Sequence, residues 1–335
     1  MNITAYVDSP DHVCCRYRLE ALRPFLRRAG YSLELQPFAK SFWQRVRGNR
    51  AHPSEIAILQ RRLPSAIELW RIRRDHRVLI FDFDDAVWLR DSYSAKGMHS
   101  TRRLRRFRRV IQVCDFVVAG NDFLARQAAR FINPKRVDVI PTCVDPRKYS
   151  MATHGLSRTV DLVWIGSSST LQGLEKIRPT LEAIGRTVPH VRLKLICDRF
   201  LSLDHLPVKS SPWSESSEAA DLAAADIGIA WMPDDDWSRG KCGLKLLQYM
   251  AAGLPVIANP VGVHCEMIEH GATGYLAETK EHWLDAVRLL ARHPRLRQWM
   301  GNAARRRLKS EYSIDCAGNQ WLGILGRLQE RRLAV

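Results

Sequence analysis

The chain's strongest constraint is a rhythm: short apolar runs, each followed by a stretch long enough to coil into a helix. One series is Asn2–Val7, Ser32–Pro37, Val78–Phe83, Phe116–Ala119 and Val137–Ile140. A second is Val160–Ile165, Arg192–Cys197, Ile227–Trp231, Pro255–Ala258 and Tyr275–Ala277. Runs this short and mostly rich in Val, Ile, Leu and Phe fit parallel strands whose sheet is covered by helices on both faces. The fold class is therefore α/β, and two series predict two doubly wound, Rossmann-like domains. The rhythm breaks at Asp145–Ser157, where Pro146, Gly155 and small polar residues intervene. A first domain is expected at 1–150 and a second at 157–310, with a closing helix at 311–335 packing back on the first. A length of 335 residues suits two domains and buries enough surface to fold without disulfides or structural metal.

Charge is distributed unevenly. Lys and Arg number 52 against 35 acids, a formal +17. Residues 1–150 hold 29 of the basic and 15 of the acidic side chains, a net +14, which leaves +3 for the rest. That contrast points to an anionic partner for the first half, with an Arg-rich solvated face as the plain alternative. The opening MNITAYVDSP has neither the basic nor the apolar region of a secretory signal, and no apolar run approaches the roughly 18 residues of a membrane span. Eight scattered cysteines without a CxxC pair predict free thiols in a reducing cytosol.

In open α/β sheets ligands bind beyond the carboxyl ends of the strands, and the most informative such segment is Gly240–Ala277. Gly243 precedes a helix expected at Leu244–Ala252, whose N-terminal amides can face an anion. Lys245 falls in its first turn, a poor place for a cation unless an anion is near. Gly253 ends the helix, and Asn259-Pro260-Val261-Gly262 forms a tight turn after the next strand. Position by position this is also an ordinary αβ unit. As a whole it resembles the donor-binding signature of GT-B glycosyltransferases, the retaining family 4 group in particular. The matching elements are Gly243, Met250-Ala251-Ala252-Gly253-Leu254-Pro255-Val256, Val261-Gly262, Glu266 and Gly271-Ala272-Thr273-Gly274-Tyr275. The resemblance implies two Rossmann-like domains facing a cleft, with the nucleotide-sugar (UDP- or GDP-linked) on the second and the acceptor on the first. It also implies a retaining reaction that needs no metal or other cofactor.

In that family two glutamates seven residues apart grip the donor. Aligned on Gly243, the second falls on Gln248, whose amide can still bond a ribose hydroxyl, and the first falls on Gly240, which has no side chain. Asp236, in the run Asp234-Asp235-Asp236, is a candidate to supply the carboxylate. Where the family usually holds the diphosphate with an Arg and a Lys, this chain has Gly166-Ser167-Ser168-Ser169-Thr170. Gly166, Ser167, Ser168 and Thr170 form a candidate phosphate cradle or a simple N-cap cluster. Lys245 and Lys241 are the candidate cations, and Gly243 and Leu244 complete the donor set.

In the first half, Arg16 follows the first strand and can reach a phosphate bidentately. Asp82-Phe83-Asp84-Asp85 ends another strand, and carboxylates there are costly unless they bind something. Asp84 and Asp85 stand where the family places a His near the reacting carbon, so they are candidate catalytic groups with Lys245; pairing with nearby Arg is the other reading. Asn121, Pro141 and Thr142 are further strand-end candidates. Leu104, Phe107 and Val110 make an apolar stripe on an Arg-rich helix, fitted either to an anionic membrane surface or to the core. Nucleic acid ranks lower, since no recognised binding module is present. The expectation is a glycosyltransferase in cell-surface polysaccharide or glycolipid synthesis, cytoplasmic and peripheral on the inner membrane face, acting on a glycan or lipid-linked acceptor. A sugar-nucleotide epimerase and a non-catalytic binding subunit remain open.

Overall fold

The computed structural model describes residues 1–38, 54–155 and 159–333. The chain divides into two compact units. Unit 1 comprises Met1–Cys143, Asp235–Cys242 and Ile314–Val335; unit 2 comprises Val144–Asp234 and Gly243–Ser313. All eight cysteines are free.

Unit 1 is built on strands β1 (Asn2–Val7), β2 (Ser32–Pro37), β3 (Ile56–Gln60), β4 (Val78–Phe83), β5 (Phe116–Ala119) and β6 (Val137–Val139). They pair in parallel in the order β2-β1-β3-β4-β5-β6. Unit 2 carries β7 (Val160–Ile165), β8 (Val191–Cys197), β9 (Val208–Pro212), β10 (Ile227–Ala230), β11 (Val256–Ala258) and β12 (Gly274–Leu276). Their order is β12-β11-β10-β7-β8-β9, again all parallel. Both are doubly wound sheets, and the expected strands are present to within one residue at each end. Two strands go beyond the sequence reading. β3 is buried at every position and has the same apolar signature as its neighbours. β9, largely polar, is an edge strand that needs no apolar run.

One face of the first sheet packs Ile3, Leu22 and Leu26 against Ile314, Trp321, Ile324 and Leu325 of the helix Ile314–Leu333. The other face holds an aromatic cluster in which Phe107 lies 5.5 Å from Phe83 and 4.8 Å from Trp88, ring centre to ring centre. Phe107 comes from the helix Thr101–Val113, and Val110 and Ile111 are buried with it. The apolar stripe is therefore committed to the core rather than to lipid, and of its expected members only Leu104 is exposed. In unit 2, helix Pro294–Glu311 crosses the end of helix Leu244–Ala251 with no side chain between. A Cβ on Gly301 would stand 1.8 Å from the Gly253 carbonyl oxygen.

Polar groups concentrate where the strands of the first sheet end. Arg18 is buried, and its Nε donates to both carboxylate oxygens of Asp82 at 3.1 and 3.0 Å. Its Nη1 donates to the Ile140 carbonyl at 3.0 Å and to the Thr142 hydroxyl at 3.4 Å. Burial pushes the Asp82 carboxyl up and Arg18 opposes it. Replacing Arg18 by Met removes the partner and leaves the carboxylate in place, so Arg18→Met should cost about 3–5 kcal/mol in urea unfolding. A loss under about 1 kcal/mol would show that water, not Arg18, satisfies Asp82.

Candidate active site

Read from β9, the second sheet has the order 3-2-1-4-5-6, so its strand order reverses between β7 and β10, where such sheets hold ligands. These strands pair only through Ile227–Leu162 and Gly228–Val163. Beyond that point the Tyr249 hydroxyl bridges them, accepting from the Ile165 N–H and donating to the Ile229 carbonyl, each at 3.1 Å. Gly166 follows at the rim. A Cβ there would meet Lys245 Nζ and the Trp164 ring at 2.5 Å and Thr170 Oγ1 at 2.8 Å. Lys245 reaches this turn from helix Leu244–Ala251, with its ammonium 4.5 Å from the Trp164 ring centre and donating to Thr170 Oγ1 at 3.3 Å.

The expected cradle of backbone amides is corrected by this geometry. Gly166 N–H donates to the Ile196 carbonyl, Ser167 N–H to Thr170 Oγ1, and Ser168 N–H to the Asp198 carboxylate. Those bonds from Ser168 hold the Asp198 carboxyl below its usual range. The Lys245 ammonium stands beside this turn, whose hydroxyls bond within it: Thr170 Oγ1 donates to the Ser167 carbonyl at 3.1 Å, and the Ser167 and Ser169 hydroxyls bond each other at 2.8 Å. Gly243 caps its helix in the left-handed region, φ 64°, and Leu244 is half-buried. Gln248, expected to face a ribose, is 4% exposed. The Asn259 amide ties the segments after β10 and β11, accepting from Met232 N–H at 3.1 Å and donating to its carbonyl at 2.7 Å. His264 bonds the Asn259 carbonyl through Nδ1 at 2.9 Å.

The first sheet gathers charge at its own carboxyl edge. Burial pushes the Asp84 carboxyl up, yet Arg61 and Arg18 hold it below the usual range. Arg61 also donates to Asp85, whose other oxygen lies 2.8 Å from Lys241 Nζ. The candidate catalytic carboxylates are thus matched internally by cations. Lys241 and Asp236, expected in the donor half, lie in Asp235–Cys242, which belongs to unit 1. Lys241 covers the Trp237 ring at 3.6 Å, and Asp236 pairs with Arg239 at 3.6 Å. Asn121 has both ends of its amide engaged: it caps a helix through Leu124 N–H and donates to the Lys241 carbonyl at 2.9 Å. Arg16 bonds the Tyr17 hydroxyl at 2.8 Å. Gly240 lies against Ala86, and a Cβ would stand 2.7 Å from the Ala86 Cβ and 2.8 Å from its nitrogen. A glutamate at this position would require Ala86 to shift.

Sequence reasoning missed Arg61, Tyr249 and Asp198. Asp198 directly follows a strand that was read, so the strand-end rule could have found it; Arg61 follows the strand that was not read. Nothing in the sequence announces the Tyr249 bridge.

Residues 234–307 match the family model of glycosyl transferases group 1. Over 98% of its length the chain superimposes on all of Anabaena HepE, solved with UDP and glucose, with a TM-score of 0.71 at 14% identity. The chain has the GT-B fold. It is 23% identical over 232 residues to N-acetyl-alpha-D-glucosaminyl L-malate synthase of Bacillus anthracis, covering 63% of this chain and 59% of that protein. To D-inositol 3-phosphate glycosyltransferase of Pseudarthrobacter chlorophenolicus it is 28% identical over 194 residues, 50% and 45% of the two lengths. The chain thus spans about half the length of the curated relatives it matches. Within this GT-B chain the group 1 segment contains both Lys245 and the Asn259–His264 turn.

Two outcomes test these assignments. Burial pushes the His264 imidazole down to about 4 from 6.5, so the folded state holds it neutral. Its contribution is complete above pH 6.5 and is lost as pH falls toward 4, by on the order of 2–3 kcal/mol. Urea unfolding between pH 7 and 4.5 should show this loss, reduced in His264→Asn; identical pH profiles would refute it. Gly240→Glu should lower stability by about 1–3 kcal/mol through overpacking against Ala86. A Gly240→Glu protein as stable as wild type in thermal unfolding would mean the segment moves aside freely.

Proposed function

We propose that the protein is a glycosyltransferase that moves a sugar from a nucleotide-sugar to a glycan or lipid-linked acceptor. The observation that carries this reading is Lys245, held over Trp164 at the Gly166–Thr170 turn, where the strand order of the second sheet reverses. A cation in a first helical turn opposes the helix dipole, and a bound diphosphate offsets that conflict. In this reading unit 2 takes the donor and unit 1 the acceptor. UDP is the favoured donor nucleotide, because HepE was solved with UDP and glucose. The transfer is retaining and metal-independent, the leaving diphosphate assisting deprotonation of the acceptor hydroxyl on the same face of the sugar. The protein's share is positioning and charge stabilisation at the leaving group, which falls to Lys245 beside the Ser167–Thr170 turn.

We further propose a role in cell-surface polysaccharide or glycolipid synthesis at the inner face of the membrane. The basic first half supports it, by charge rather than by insertion. Among the described residues no helix is long and apolar enough to cross a membrane.

One observation favours a second reading. Gly240 has no room for a carboxylate side chain, so a chain that binds nucleotide without transferring sugar fits the same fold. Turnover separates the two. With UDP-glucose and related donors, wild type should release UDP in the presence of acceptor, and Lys245→Ala should lower kcat/KM by about ten- to a thousand-fold. Thermal stabilisation by UDP with no sugar released from any donor would favour the binding subunit. Unchanged kinetics in folded Lys245→Ala would remove that residue from the site.

A further inference from the structure

A cavity of about 500 Å³ opens at the carboxyl edge of the first sheet, where the strand order reverses between β1 and β3. Among the described residues, those that line it all belong to unit 1. Six cations line it: Arg61, Arg90, Lys96, Arg102, Arg103 and Arg106. Among the described residues two carboxylates, Asp8 and Asp85, face them. Both are already engaged, Asp85 by Arg61 and Lys241, Asp8 by Arg62 at 3.6 Å. Among the described residues no ion pair involves the other five cations.

Several of these side chains are held in place without being neutralised. Arg103 donates to the Leu89 carbonyl, Arg106 to the Leu63 carbonyl at 3.4 Å, and Arg90 to the carbonyls of Lys96 and Gly97 at 3.1 and 3.0 Å. Neutral acceptors fix the guanidinium groups and leave their charge uncancelled, which is preorganisation for an anion. Arg61 adds strain to charge. Its φ of 57° lies in the left-handed region, disfavoured for a residue with a Cβ, and its side chain spans from the end of β3 to Asp84 and Asp85. Like charges on concave walls reinforce one another's field, so the five unpaired cations attract anions more strongly there than they would scattered over a surface.

We propose that this cavity binds a phosphoryl or pyrophosphoryl group, and that the acceptor of the transfer carries it there. Arg102 and Arg106, four residues apart on one helix face, grip its oxygens, with Arg90 and Lys96 also lining the cavity. Only the word acceptor rests on the transferase reading; the phosphate site does not.

Calorimetric titration of the full chain with inorganic pyrophosphate at low ionic strength tests it. Wild type should bind saturably, and R102Q/R106Q should bind at least about tenfold more weakly. R105Q/R109Q removes the same charge from the same helix at exposed positions outside the cavity, and should change affinity less than about threefold. Arg102→Gln alone, which disturbs no bond among the described residues, should weaken binding measurably and guards against misfolding of the double variant. Equal weakening in both double variants, or no saturable binding to wild type, overturns the proposal.

Co-sedimentation with phosphatidylglycerol vesicles separates the sources of the phosphate. Pelleting that pyrophosphate reverses and R102Q/R106Q abolishes makes it a lipid headgroup. Wild type left in the supernatant, with pyrophosphate binding intact, makes it a soluble phosphorylated acceptor. Either upholds the site. Pyrophosphate binding without sugar transfer from any donor would sink the transferase reading alone, and transfer without that binding would sink this proposal alone.

Discussion

The carboxyl edge of the first sheet depends on an ion pair that shares almost no water. Arg18 and Asp82 are both buried, and a lone charge in that position would be costly enough to destabilise the sheet around it. Because Arg18 also reaches Ile140 and Thr142, one guanidinium ties the segment after β1, the end of β4 and the end of β6. The pair sets the position of the next carboxylates along, Asp84 and Asp85, which then need cations of their own. Arg61 and Lys241 meet that need. Arg61 does so from an unfavourable backbone conformation, which the pairing must outweigh.

Unit 2 solves the opposite problem, keeping two parallel strands apart without leaving backbone groups unsatisfied. Where β7 and β10 stop pairing, a single phenol takes over the hydrogen bonds that a ladder would have made. The hydroxyl-lined turn and the Lys245 ammonium then stand at a gap whose width is set by a side chain from behind. Asn259 does the equivalent for the next pair of segments. The site is thus shaped by groups that need never touch a substrate.

Much of this was legible in the sequence, for reasons that also explain the gaps. Apolar runs betray buried parallel strands, so β1 and β7 could be read almost to the residue, while the polar edge strand β9 could not. The Gly243–Tyr275 pattern pointed to the GT-B fold, and Lys245, a candidate cation for the Gly166–Thr170 turn, bonds Thr170 there. Pairing partners were not legible. Nothing local to Asp84 or Asp85 says that Arg61 will neutralise them, and nothing local to Asn121 says that its amide will hold Lys241's carbonyl. Those contacts join residues 24 and 120 positions apart. The amphipathic helix shows the limit most clearly, since its periodicity fits lipid and core equally well and only the aromatic cluster decides between them.

The contact of Gly301 with the Gly253 carbonyl bears on how a chain like this can be recognised at all. Cores made of Val, Ile and Leu can be refilled in many ways while volume is kept, so the sequence of such a layer drifts easily. Two backbones in direct contact leave no such freedom, because not even a methyl group fits between them. The second unit has this kind of contact at Gly253 and Gly301, both inside the span matched by the family model. Kinship thus stays visible where the fold has no spare room, and it fades where side chains can trade places.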